Sequence, residues 1–268
     1  MLSLSLVQPV LADEVILFPE QQIYPVNLAD PRRIQFSAKT LYFDRTSIDQ
    51  GGDRRFDLKL GGRLGLLHVS RDKDDQLGWL LSLDAGFHGQ FDITSSQDNI
   101  GWDGSYALML SYRPDPRMAF KLGVHHLSAH LGDEYIERTG RTRLSYTREE
   151  LQAGMNLSLT DNLQWYVETG WAYVRLNTQA QKPWRAQSGL QYRSDKSRDR
   201  LQWYAGLNLG GSEERDWQKD ITFQFGWLIP TRSRTWRVGF EAYDGKAQLG
   251  EFFQDDERYI GLGLWLDI

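Results

Sequence analysis

Between Leu201 and Ile229 large apolar side chains alternate residue by residue with small or polar ones, and few folds tolerate that. Leu201, Trp203, Ala205, Leu207 and Leu209 are interleaved with Gln202, Tyr204, Gly206 and Asn208; Ile221, Phe223, Phe225, Trp227 and Ile229 then alternate with Thr222, Gln224 and Gly226. Neighbouring side chains of an extended strand point to opposite faces, so each segment has one apolar face and one polar face. The pattern recurs through most of the chain with polar turns between. It predicts an all-β fold, a transmembrane antiparallel β-barrel with lipid outside and a polar lumen inside, in a bacterial outer membrane.

Composition narrows the alternatives. Only 40% of the 268 residues are hydrophobic, and no run approaches the ~20 apolar residues of a membrane-spanning helix. A helical inner-membrane protein is therefore excluded, and a large soluble β-sandwich is the competing fold. The 13% aromatic content, with 10 Trp and 12 Tyr, suits interfacial girdles. The absence of Cys removes disulfide and thiolate-metal chemistry, and a net charge of -5 argues against a nucleic-acid partner.

Three regions are expected. Residues 1–12, ending Val10-Leu11-Ala12, read as a truncated secretory signal peptide without its basic start. Residues 13–32 contain Pro19, Pro25 and Pro31 and no sustained alternation, which predicts an irregular periplasmic lead or a lumen plug. Residues 33–268 form the barrel, with about twelve strands, an even count being the bacterial norm. Outward sets include Leu58, Leu60, Leu64 and Leu66; Leu108 and Leu110; Phe120, Leu122 and Val124; Leu151 and Ala153; and Leu262 and Leu264. Residues 34–43 and 186–193 supply further strands. Short turns at 113–117, 160–162 and 230–234 are assigned to the periplasm, and longer connections at 44–55, 92–101, 131–145 and 244–257 to the outside. Inward positions carry Asp57, Lys59, Arg63, Asp84, His88, Lys121, Glu168, Arg237 and Glu241. Opposite charges in a partly dry lumen are expected to pair across it, leaving limited bore for a pore.

One strand breaks the lipid-facing rule. After Phe120, Leu122 and Val124 the outward parity continues as His126, Ser128 and His130, at the extracellular end of an ascending strand. Polar groups facing lipid cost free energy and call for a reason. A His and a Ser two apart project from one strand face, where the imidazole can take the hydroxyl proton. Glu149, on the outward parity of Leu151 in the next strand, is placed to orient that imidazole; Asp133 and Glu134 compete for the role. Backbone amides or a cation near residues 132–134 would stabilise an oxyanion; in a rim without chemistry, His130 with Asp133 and Glu134 could form a divalent-cation site. A one-residue error in parity would turn the triplet into the lumen.

The rim pattern His126-x-Ser128, completed from the neighbouring strand, resembles outer-membrane phospholipase A, a twelve-stranded barrel, and outer-membrane lipid A deacylase. The resemblance implies His126 as base, Ser128 as nucleophile and Glu149 as orienting acid. The two residues after the serine are Ala129-His130 where the phospholipase has Asn-Gly. The cofactor is left open, calcium being the ion that the phospholipase resemblance brings with it. Residues 28–32, 126–135 and 146–150 together resemble a bacterial family, domain of unknown function 1207, which implies an outer-membrane location and no activity. The partners expected are outer-membrane lipids or lipopolysaccharide. Three functions follow: a lipid-facing acyl-ester hydrolase, a non-catalytic structural or lipid-binding rim, and a narrow pore.

Overall fold

The structure is a computed structural model that describes residues 14–70, 76–176, 180–195, 201–231 and 234–267. The expected signal peptide at 1–12 lies outside the described residues. A short strand, β1 (Glu14–Leu17), precedes twelve long ones: β2 (Phe36–Thr46), β3 (Arg54–Ser70), β4 (Gly78–Asp92), β5 (Asp98–Asp115), β6 (Met118–Leu131), β7 (Thr147–Ser158), β8 (Leu163–Arg175), β9 (Trp184–Arg193), β10 (Trp203–Ser212), β11 (Asp220–Pro230), β12 (Thr235–Lys246) and β13 (Asp256–Asp267). Each of the twelve pairs antiparallel with its neighbours in sequence, and β13 pairs antiparallel with β2, so the sheet closes. Closure gives each strand a partner on both sides, which hydrocarbon demands of a spanning sheet.

Side-chain parity follows the alternation. Leu60, Leu64, Leu110, Leu122, Phe240 and Leu262 are exposed on the outer surface, while Lys39, Asp57, Arg237 and Glu241 are buried inside. Two local differences from the sequence pattern have physical causes. A bulge at Leu66 in β3 shifts the parity, so that Leu67 opposite Leu81 and Val69 opposite Trp79 carry the outward face below it. The connection expected over 92–101 shrinks to five residues, 93–97. There Asp92 Oδ1 accepts from the Thr94 amide at 2.8 Å and its hydroxyl at 2.5 Å, closing a tight Asx turn.

Charge pairs fill the lumen. Lys39 Nζ lies 2.8 Å from Glu241 Oε1 and 3.3 Å from Asp57 Oδ1, and Asp57 Oδ2 lies 2.8 Å from His88 Nε2. Arg237 donates to Asp267 at 3.1 Å and to Gln224 at 2.8 Å. Arg185 and Arg148 close on Glu150 at 2.5 and 2.6 Å.

The lead enters this lumen from below. β1 pairs with the periplasmic end of β3, Leu17 opposite Leu67. The chain turns at Phe18, with φ of 50°, and runs inward. Inside, Tyr24 and Asn27 donate to Glu168 at 3.0 and 2.6 Å, the Leu28 amide donates to Gln191 at 2.8 Å, and Arg33 reaches Asp267 at 3.3 Å. Lys59 donates to the Pro31 carbonyl. Gly65 makes room for the lead, since a Cβ there would stand 2.6 Å from the Pro19 carbonyl oxygen.

The outer mouth is capped by its loops. A seven-residue helix, α1 (Asp133–Thr139), follows β6, and Gly132 before it passes so close to Asn99 that a Cβ would sit 1.8 Å from that carbonyl oxygen. Tyr135 of α1, Ile48, Ile100, Leu131, Leu249 and Phe252 form one buried apolar cluster. Buried Glu251 holds the loops together, accepting from the amides of Leu144 at 2.6 Å and Tyr146 at 3.2 Å. Cavities of about 120 and 70 Å³ lie between lead, wall and cap.

Two outcomes are expected. Lys39→Met removes the ammonium that sits between Asp57 and Glu241, and should destabilise the barrel by about 3–5 kcal/mol, read as a lowered urea midpoint in detergent. Adding Asp57→Asn and Glu241→Gln should recover part of the loss, and an unchanged midpoint in the single variant would deny the cluster its burial. Reconstituted in planar bilayers, the barrel should give no steady open-channel current, because the lead and the loop cap both obstruct the bore. Large, stable channels would mean that the lead leaves the lumen.

Candidate active site on the lipid-facing rim

Strand β6 ascends from the Asp115–Met118 turn, so its outward face passes from Phe120, Leu122 and Val124 to His126, Ser128 and His130 near the outer rim. The intervening His125 and Ala129 are buried inward. The neighbours' registers complete the surface. On β7, Glu149 lies opposite His126 and Thr147 opposite Ser128. On β5, Tyr106 lies opposite His126, Gly104 opposite Ser128 and Trp102 opposite His130.

Glu149 and His126 form a close pair, with Oε1 2.6 Å from Nδ1. The carboxylate can only accept, so Nδ1 carries the proton and Nε2 of the neutral ring is left with its lone pair. Both side chains keep some access to the surroundings, at 20% and 30% exposure. The Tyr106 ring stacks on His126 at 4.5 Å and 17°, fixing the imidazole plane. A bulge in β8 beside Glu149 adds Tyr173 to the strand, and Tyr173 and Val174 are both exposed there.

Ser128 is held differently from the expectation. Its Oγ lies 3.2 Å from His130 Nε2 and 3.4 Å from Thr147 Oγ1, and it makes no hydrogen bond to His126. The two imidazoles flank the serine at i−2 and i+2, and the hydroxyl has turned toward the later one. His130 stacks on Trp102 at 4.1 Å and 15°, and its Nδ1 lies 3.0 Å from Arg143 Nη2. A guanidinium can only donate, so Nδ1 accepts and the ring proton resides on Nε2, which donates to Ser128. In this arrangement His130 is no base toward the serine.

Three further expectations find no matching geometry. His130, Asp133 and Glu134 do not assemble a cation site: the His130 nitrogens are engaged by Arg143 and Ser128, and both acids are exposed on α1. Among the described residues no three His, Asp or Glu side chains converge on a metal position. The Gly132 amide, expected near an oxyanion, donates to the Ile100 carbonyl at 3.0 Å. Asp133 and Glu134, the competitors for the orienting acid, likewise have no hydrogen bond to His126.

Sequence reasoning missed Thr147, Trp102, Tyr106 and Arg143. Thr147 shares the parity of Glu149 and was readable from it. Trp102 and Tyr106 follow from the parity of Leu108 and Leu110 once the β5–β6 register is known. Arg143 sits in an aperiodic loop that gives no such signal.

The barrel is similar to several solved outer-membrane proteins. Outer membrane phospholipase A from Escherichia coli matches with a TM-score of 0.57 at 12% identity, over 87% of this chain and 92% of that one. The calcium-bound dimer of the Salmonella typhi phospholipase matches at 0.59 and 12%, over 91% and 95%. The KdgM porin matches at 0.50 and 9%, over 88% and 99%. At these identities the likeness is one of fold, and it places the chain among bacterial outer-membrane barrels. No curated protein sequence matches the chain. Residues 5–267 match the family described as "Protein of unknown function (DUF1207)", and the chain belongs to that family.

Proposed function

We propose that this barrel hydrolyses acyl esters of outer-leaflet lipid, phospholipid or lipid A, at the rim formed by His126, Ser128 and Glu149. The observation that carries the reading is the 2.6 Å Glu149–His126 pair on the lipid-facing surface, with a serine on the same strand face. Polar groups on the outward face of a barrel are exceptions that call for a functional reason. In the neutral ring the pair puts the free lone pair on Nε2, the atom a general base uses. The reading requires a rotation of Ser128 about χ1 that carries its hydroxyl from the His130 side to the His126 side. Unliganded sites commonly hold such groups out of productive alignment.

Gly104, opposite Ser128, leaves the outward position between Trp102 and Tyr106 without a side chain, and we read that gap as a slot beside the serine. A Cβ at Gly104 would have only ordinary contacts, 3.4 Å to the Trp102 ring, so the glycine keeps the space open rather than relieving a clash. A lipid entering laterally from the leaflet can place its ester there without passing through the filled lumen. That one barrel of similar fold is a phospholipase adds a general precedent. The non-catalytic rim is the second reading, and the bond between Ser128 and His130 rather than His126 favours it.

In mixed micelles, Ser128→Ala and His126→Ala should each lower fatty-acid release roughly 10³-fold or more while the folded form keeps its heat-modifiable migration. Assays on phosphatidylethanolamine and on lipid A separate the two substrate sources. Release from wild type no greater than from Ser128→Ala on either lipid would assign the rim to headgroup binding. Gly104→Val should fill the slot and raise KM or lower kcat with the barrel still folded, whereas Gly104→Ala should be tolerated; equal rates in both would remove the slot from the account.

A further inference from the structure

Ester hydrolysis at Ser128 needs a donor for the carbonyl oxygen as it gains charge. Two backbone amides that follow the serine are already engaged. The Ala129 amide donates to the Tyr146 carbonyl at 2.8 Å and the Gly132 amide to Ile100 at 3.0 Å. No metal cluster stands among the described residues. What the rim does hold is an N–H aimed at the nucleophile: His130 Nε2, 3.2 Å from Ser128 Oγ.

We propose that His130 is a second catalytic residue of the rim, the oxyanion donor, and that Arg143 is the positioning residue that fixes its tautomer. The assignment rests on the hydrolase reading of His126 and Ser128. Arg143 donates to His130 Nδ1 at 3.0 Å and to the Ala129 carbonyl at 3.2 Å, so the guanidinium is anchored to the strand that carries the site. Facing only a donor, Nδ1 keeps its lone pair and the proton stays on Nε2. Trp102 stacked at 4.1 Å holds the ring plane.

In the resting state that Nε2–H is satisfied by Ser128 Oγ. When Ser128 turns to His126, its proton passes to His126 Nε2 and Oγ bonds to the ester carbon. The carbonyl electron pair moves onto the oxygen, which takes the place Oγ vacated beside His130 Nε2–H. Collapse of the adduct breaks the bond to the lipid alcohol, which leaves with the proton from His126. Water from the headgroup layer then attacks the acyl-serine by the same route, releasing the fatty acid and restoring Ser128. Thus one imidazole serves as base and the other as electrophile. Different partners, Glu149 and Arg143, hold the two rings in complementary tautomers.

The test uses the folded full-length barrel in phospholipid mixed micelles. His130→Ala should lower kcat by about 10²–10³-fold with little change in KM, as loss of one oxyanion donor does elsewhere. His130→Gln, which keeps an N–H, should recover part of that. Arg143→Leu should lower kcat less than His130→Ala, and Arg143→Lys should restore it. ¹⁵N spectra of wild type should show His130 protonated at Nε2 alone, and Arg143→Leu should mix the tautomers. Chelation of divalent cations should leave the wild-type rate unchanged. Wild-type kcat in His130→Ala, an Nδ1-protonated His130 in wild type, or a rate that calcium alone restores after chelation would each overturn this assignment while leaving the Ser128–His126 reaction standing. Absence of any Ser128-dependent release would overturn both.

Discussion

Hydrocarbon offers no hydrogen-bond partner, so a spanning strand must find one on each side, and the β13–β2 pairing that closes this sheet is the contact on which the rest depends. Once the sheet is closed, each residue of a strand faces either lipid or lumen. Apolar side chains such as Leu122 and Leu262 take the outside, and Lys39, Asp57 and Glu241 the inside. Polar groups on the lipid side then stand out as exceptions. His126, Ser128 and Glu149 are such exceptions, and they lie side by side across two strands.

The inside is accounted for by its own partners. A buried charge is tolerable only when paired, and Lys39 between Asp57 and Glu241, or Glu150 between Arg148 and Arg185, shows the pairing. The lead closes the lower lumen through Glu168, Gln191 and Asp267, and the Glu251 and Phe252 loop closes the upper mouth. The bore is thus occupied from both ends, while His126, Ser128 and Glu149 stand on the outward face.

The barrel was legible in the sequence because alternation has period two and the strands are long. The twelve strands and the lumen charges follow from parity, their orientation from the alternation of short turns and long connections, and parity also identified the His126–Glu149 neighbours. What parity could not supply were irregularities: the bulge at Leu66, which moves Leu67 and Val69 outward, and the tight turn at Asp92 that shortens an expected loop. Nor could it choose between two imidazoles spaced alike around Ser128. That choice is made by Arg143, a loop residue brought beside His130 by the cap, and the cap depends on long-range packing of Tyr135 and Phe252. The expected cation site of His130, Asp133 and Glu134 failed for the same reason: adjacency in sequence says nothing of where α1 turns its acids.

The central claim is that a nucleophilic serine stands on the lipid-facing wall. It is tested most directly by incubating the folded barrel, in outer-membrane lipid, with a long-chain alkyl fluorophosphonate, and locating the adduct by peptide mass spectrometry. The account predicts one phosphonylated site, Ser128, formed in wild type and Thr147→Ala but lost in His126→Ala. An unmodified barrel, or labelling at Ser128 that persists without His126, would contradict it.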